Sequence, residues 1–227
     1  MKKRKRVPQQ VPIVLCEQTM PHIAEQFRNV RTNIAFVAKG KQIRSIAITS
    51  AKSGEGKTTI SANLAGVFAK QGKKVLLVDS DLRRPKLHKI FQIEARKGLA
   101  EVLANLGDFE ECLCTTHISK LDLLTSGGIP PNPSELLGSD TMNNIMNHIY
   151  DQYDIVIFDL PPILAVADAQ ILANQCDAAI LVVRSGQTEK MDANKAIKLL
   201  KMTDGEFLGV ILNDCPNEEN HYYISDV

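Results

Sequence analysis

Residues 49–59 read TSAKSGEGKTT. They follow a β-rich run, RSIAITS (44–50), and open a helix-forming run, KTTISANLAGVFAKQG (57–72), which Gly72 stops. Gly54 and Gly56 let the backbone turn tightly, so that successive N–H groups converge. The helix N-terminus adds partial positive charge at the same point. Strand, glycine turn and helix in this order predict a cradle for phosphate. Its candidates are Ser53, Gly54, Glu55, Gly56, Lys57, Thr58 and Thr59. Lys57 can reach the β- and γ-phosphates of a nucleotide, and the Thr58 hydroxyl can ligate Mg²⁺. Ala51 stands where the usual first glycine would be, so the loop is a variant form.

The flanking sequence repeats a strand–helix rhythm. KVLLVD (74–79) and DIVIFD (154–159) are apolar runs that suit strands buried on both faces. LDLLTSG (121–127), DAAILVVRS (177–185) and EFLGVILND (206–214) read as further strands, with a helix around Glu189 to Met202 between the last two. The alternation predicts an α/β fold: a doubly wound, mostly parallel sheet with helices on both faces. Ligands of such sheets lie beyond the carboxyl ends of the strands. VLLVDSDLRRP delivers Asp79 and Asp81 to that edge, and YDIVIFDLPP delivers Asp159. Near a phosphate loop, one carboxylate can hold metal-bound water while another accepts a proton from an incoming hydroxyl. The catalytic candidates are Lys57, Asp79, Asp81 and Asp159; Thr58 and these carboxylates, Asp81 and Asp159 among them, are the metal candidates, and which acid accepts the proton stays open at this point. Arg83 and Arg84 follow as anion clamps or as solvated charges.

The 227 residues suit one large domain or a domain with an arm, and 44% apolar content supports a full core. A net charge of +1, no Trp and 5% aromatics argue against a nucleic-acid partner. Five cysteines without a C-x-x-C pair read as free thiols, and the five histidines show no metal-ligand spacing. Residues 1–21 read as a flexible basic arm. Its run Val11–Leu15 is too short to span a membrane and contains Pro12. Lys2–Arg6 are expected to be solvated, although such a run can touch anionic lipid at roughly 1 kcal/mol per charge. Residues 22–213 form the predicted domain and 214–227 a flexible tail. Within the helix expected at 22–39, Ile23, Phe27, Val30, Ile34 and Val37 share one face, while Glu25, Arg28 and Arg31 make a separate polar one. PPNPSELLG (130–138) predicts a loop entering a helix capped by Ser134.

Together, SGEGKTT, VDSDLRRP, SGGIPPNPSELLGS and DIVIFDLPP resemble the bacterial tyrosine kinases. These are P-loop proteins that regulate capsule and exopolysaccharide synthesis. The resemblance covers nearly everything from about residue 22. It implies the P-loop NTPase fold of MinD/ParA-like type, with ATP and Mg²⁺ as ligands and phosphoryl transfer to tyrosine. It assigns proton acceptance to Asp79, and implies autophosphorylation of Tyr222 and Tyr223 by a neighbouring subunit. Glu25, Arg28 and Arg31 match the family's E-x-x-R-x-x-R motif, which implies a homo-oligomeric ring. Activation by a transmembrane polysaccharide co-polymerase adaptor, a cognate phosphotyrosine phosphatase and a cytoplasmic location at the inner face of the membrane are implied likewise.

Leu160 departs from the family's Thr, which predicts a missing hydroxyl near the phosphates. The tail carries two tyrosines where the family has several. Two other readings remain. Lys52, five residues before Lys57, matches the signature lysine of division-site and partitioning switch ATPases. An ATP-binding scaffold of a polysaccharide-export complex would need no catalysis at all. For a kinase, the fourteen residues 214–227 extend at most about 50 Å. Against a domain radius near ~17 Å they reach an adjacent subunit.

Overall fold

The computed structural model describes residues 21–94 and 97–216. The basic run Lys2–Arg6 and the acceptor candidates Tyr222 and Tyr223 lie outside them. The chain opens with α1 (Pro21–Val37), β1 (Ser45–Ser50), α2 (Lys57–Lys70) and β2 (Val75–Asp79). Three short helices follow: α3 (Leu87–Ile90), α4 (Leu99–Leu103) and α5 (Phe109–Cys112). Then come β3 (Leu113–Thr115), β4 (Leu121–Leu124), α6 (Pro133–Leu137), α7 (Asp140–Gln152) and β5 (Ile155–Asp159). The fold closes with α8 (Asp168–Ala173), β6 (Ala178–Arg184), α9 (Lys190–Leu200) and β7 (Glu206–Asn213).

The strands form one sheet in the order β3-β4-β2-β5-β1-β6-β7. The β3–β4 pair is antiparallel and every other neighbouring pair is parallel. Successive side chains alternate between faces, so each strand feeds two cores. Ile46, Ile48, Leu77 and Ile157 pack against α1 and α2, whereas Ala47, Val78, Phe158 and Leu181 pack under α4 to α9. Burial of each such Leu, Ile or Phe contributes about 1.5–3 kcal/mol. Strands covered on both sides cannot show polar alternation, which is why they read as continuous apolar runs.

Two expectations change. Ser134 does not cap its helix: Asn132 is the N-cap residue of α6, and the Ser134 hydroxyl donates instead to Asp168. A serine cap is found one helix later, where Ser139 accepts from the Met142 N–H. Leu160 follows Asp159, which faces α2, so alternation turns Leu160 to the opposite face. It is fully buried in the core under α7 and α8, so a hydroxyl there would not meet the cavity that the phosphate loop lines. On α1, Phe27 and Ile34 are buried as expected. Glu25 and Arg28 are exposed and pair with one another, and Arg31 is half-buried.

Candidate active site

The predicted loop joins β1 to α2. Gly54 has φ 90° and Gly56 φ 94°, a region that side chains disfavour. A Cβ on Gly56 would stand 2.1 Å from Nδ2 of Asn213, so close approach as well as conformation requires glycine there. Lys57, Thr58 and Thr59 occupy the first turn of α2, where N–H groups lack intrahelical acceptors. The cradle is held from outside. Asn213, the last residue of β7, donates to the Glu55 carbonyl at 3.0 Å, and Arg184 donates to the Gly54 carbonyl at 3.3 Å. The Glu55 carboxylate points away from the loop's mouth. It accepts from the Lys52 N–H at 2.9 Å and the Thr188 hydroxyl at 2.6 Å.

Parallel pairing of β2 with β5 sets Asp79 directly beside Asp159. Both strands end there, and the following turn returns Asp81 to Lys57. The Lys57 Nζ lies 3.1 Å from Asp81 Oδ2 and 3.7 Å from Asp159 Oδ1. Ser61, one turn along α2, donates to Asp159 at 3.1 Å, and the Thr58 hydroxyl also hydrogen-bonds this carboxylate. Asp79 accepts from the N–H groups of Lys86 at 3.0 Å and Leu87 at 2.9 Å through one oxygen. Its other oxygen, Oδ1, and Oδ2 of Asp159 are buried without a hydrogen-bond partner.

Burial and the neighbouring charges shift the titration of Asp79, Asp159 and Lys57. Burial, then the Asp159 charge, push Asp79 up to about 7 against the pull of Leu87, Lys57 and Lys86. Burial also raises Asp159, more than Lys57, Thr58 and Ser61 lower it. Burial alone would lower Lys57, but Asp159 and Asp81 outweigh it and hold the ammonium charged.

A cavity of about 790 Å³ opens above these groups, lined by the phosphate loop, Asp81, the segment Arg83–Ile90 and the wall around Pro162. That volume falls within the usual range of small-molecule sites. Asp79 and Asp159 lie beneath its floor, fully buried. Arg83 lines the cavity already bound to Asp168, with Nε 2.7 Å from Oδ2 and Nη2 3.1 Å from Oδ1. Burial alone would raise Asp168, but Arg83 and Ser134 keep it below the usual carboxylate range. Arg84 donates its backbone N–H to Asp81 at 3.0 Å and is exposed on the rim. Lys52 is tied at 2.5 Å to Asp192 of α9.

The arrangement fits Mg²⁺. Its donors are a hydroxyl and carboxylates, with a buried oxygen of Asp159 unpaired. Among the described residues no cluster of three acidic, His or Cys side chains could hold a metal unaided. Mg²⁺ sites of this kind complete their shell with substrate phosphates and water.

A family model described as an AAA domain matches residues 43–205. Tyrosine-protein kinase YwqD of Bacillus subtilis is 51% identical over 190 residues, 84% of this chain and 80% of that protein. The chain belongs to the bacterial tyrosine-protein kinase family. The kinase domain of Escherichia coli tyrosine kinase ETK superimposes with a TM-score of 0.87 at 31% identity, over 98% of this family member and 86% of that chain. A more distant likeness is the septum site-determining protein MinD of Pyrococcus horikoshii, solved complexed with Mg-ADP. It matches with a TM-score of 0.64 and 28% identity, over 74% of this chain and 69% of that one. The kinase family thus shares its doubly wound parallel sheet with the MinD fold.

Sequence reading brought Lys57, Thr58, Asp79, Asp81 and Asp159 to one sheet edge, and the structure groups them. It missed Ser61, which the helical step of four from Lys57 could have shown facing Asp159. It also missed Asp168, Arg184 and Asn213. They come from the start of α8 and the ends of β6 and β7, and no local pattern marks them.

Proposed function

We propose that this kinase-family member transfers the γ-phosphoryl group of ATP to tyrosine. Lys57 exchanges Asp81 and Asp159 for the β- and γ-phosphates, whose other oxygens meet the N–H groups of residues 53–59. Thr58, Asp81 and Asp159 would hold Mg²⁺, which would neutralise developing charge on the phosphates. Asp79 takes the phenolic proton as the tyrosine oxygen bonds phosphorus and the bond to ADP breaks. Its titration near neutral pH suits a base of that kind. The acceptors are Tyr222 and Tyr223 of an adjacent subunit, in a ring joined through Glu25, Arg28 and Arg31.

The domain comprises residues 22–213, with a basic arm before it and the tyrosine-bearing tail after it. A transmembrane polysaccharide co-polymerase adaptor activates the ring at the inner membrane face, a phosphotyrosine phosphatase resets it, and the cycle regulates capsular or exopolysaccharide synthesis and export. Among the described residues no helix is long and apolar enough to cross a membrane.

The observation that carries this reading is the single buried ammonium of Lys57 between Asp81 and Asp159 at the mouth of the glycine loop. Incubation with γ-labelled ATP, Mg²⁺ and the adaptor's cytoplasmic segment tests it. Stable label on tyrosine is expected. Free phosphate alone would mark a switch ATPase, and neither product would mark a scaffold.

A further inference from the structure

The charge lining the cavity is one-sided. Five cations line it, Lys57, Arg83, Arg84, Lys86 and Lys89, against a single anion, Asp81. Lys57 and Asp81 are paired to one another. Arg83 is fixed by Asp168. Arg84, Lys86 and Lys89 form no ion pair among the described residues. All three are exposed, on the segment that follows β2 and runs into α3 rather than on the phosphate loop itself. Between this rim and the loop, Ile90 on one wall and Pro162 and Val166 on the other supply apolar surface. A flat apolar ring entering there would have the cationic rim beside its flanking residues.

We propose that this rim selects the phosphoacceptor: the site takes tyrosines flanked by carboxylates, with Arg84, Lys86 and Lys89 reading the flanks and the wall of Ile90, Pro162 and Val166 holding the ring. The inference rests on the kinase reading above and names its substrate class. The chain's own tail has the complementary character. NEENHYYISDV (217–227) carries Glu218, Glu219 and Asp226 around Tyr222 and Tyr223, and no Lys or Arg. The parallel pairing of β7 with β6 ends β7 at the edge of the sheet that carries the cavity. A second copy's tail and an acidic tyrosine segment of another protein satisfy the same rim.

Two synthetic peptides with one tyrosine each test this, one flanked by Glu and Asp and one by Lys. Each is assayed with the full chain, ATP-Mg²⁺ and the adaptor segment. The acidic peptide is expected to show a KM about tenfold lower at low salt, an advantage that 0.5 M salt erases as charges are screened. In a Lys86→Gln/Lys89→Gln double variant that KM rises roughly fivefold to tenfold, consistent with exposed pairs worth up to about 1 kcal/mol each. Lys86→Arg/Lys89→Arg retains the preference. Equal KM values for the two peptides would overturn the inference, as would a double variant that alters only the KM for ATP. Fluorescence anisotropy of the labelled acidic peptide separates the two readings. Charge-dependent binding without phosphoryl transfer upholds the rim and overturns the kinase. Transfer without charge dependence does the reverse.

Discussion

The phosphate loop and the segment Ser80–Ile90 face each other across the cavity, and they are held in opposite ways. The loop is bonded from three directions. Ser50 reaches the Lys52 carbonyl from β1, Thr188 reaches the Glu55 carboxylate from the turn before α9, and Asn213 and Arg184 reach its carbonyls from the ends of β7 and β6. The facing segment is anchored from beneath by Asp79 and by the Arg83–Asp168 pair, while Arg84, Lys86 and Lys89 are exposed and form no ion pair among the described residues. A cradle for a ligand that never varies gains from having its donors fixed before the ligand arrives. A rim that meets varied peptides gains from long, exposed point charges that adapt. The difference separates a rigid half, which does the chemistry, from a compliant half, which chooses the acceptor.

The strongest test of the rigid half is Lys57→Met. It leaves Asp81 and Asp159 facing the phosphates without their shared cation. Tyrosine phosphorylation, followed by mass spectrometry, should fall by about 10²–10³-fold. A loss under tenfold would remove Lys57 from the centre of the mechanism.

Gly56→Ala comes next. It forces a side chain into φ 94° and against Asn213. A left-handed residue costs about 1–2 kcal/mol, so ADP affinity should drop roughly 5- to 30-fold from conformation alone and further from the clash. Adding Asn213→Ala should recover only the clash. Full recovery would mean that the backbone carries no strain.

The third test is pH. If Asp79 accepts the proton, kcat should fall about tenfold between pH 8 and pH 6, because its pKa is raised to about 7. Asp79→Asn should abolish that slope along with most of the activity. The same shift acts on stability with a definite sign. The folded chain keeps a proton on Asp79 that the unfolded chain releases above its ordinary 3.8. This group's contribution to stability is therefore fully present below about pH 4 and is lost as pH rises through 7. Urea midpoints of wild type and Asp79→Asn at pH 5 and pH 7 should differ accordingly.

The smallest effect belongs to Arg184→Ala. Its pair with Asp214 at the root of the tail is largely exposed. Surface pairs contribute about 0.2–1 kcal/mol. Nucleotide affinity should weaken by no more than about fivefold, and a larger loss would make the tail's root a major determinant of loop geometry.

Much of the rigid half was legible in the residues themselves. Gly54, Gly56 and Lys57 sit in a continuous strand–turn–helix, and Asp79 and Asp159 each close an apolar run. The direction of Leu160 was also within reach, since alternation from Asp159 turns it away from the phosphates. The three-residue β3 was not, because so short a strand has no period to detect and exists by pairing antiparallel with β4. Ser134 reads as a helix cap by position. Only the arrival of Asp168 from 34 residues away converts it into a partner of that carboxylate.

What the sequence determined alone is what local sterics and burial dictate: a glycine turn between strand and helix, buried parallel strands, and acids where those strands stop. Which strands lie side by side was left to the tertiary structure. The register placing Asp79 against Asp159, and the reach of Asn213 and Arg184 to the loop, come from packing between segments far apart in the chain. Such contacts are selected by shared core burial and leave no periodic mark in either segment.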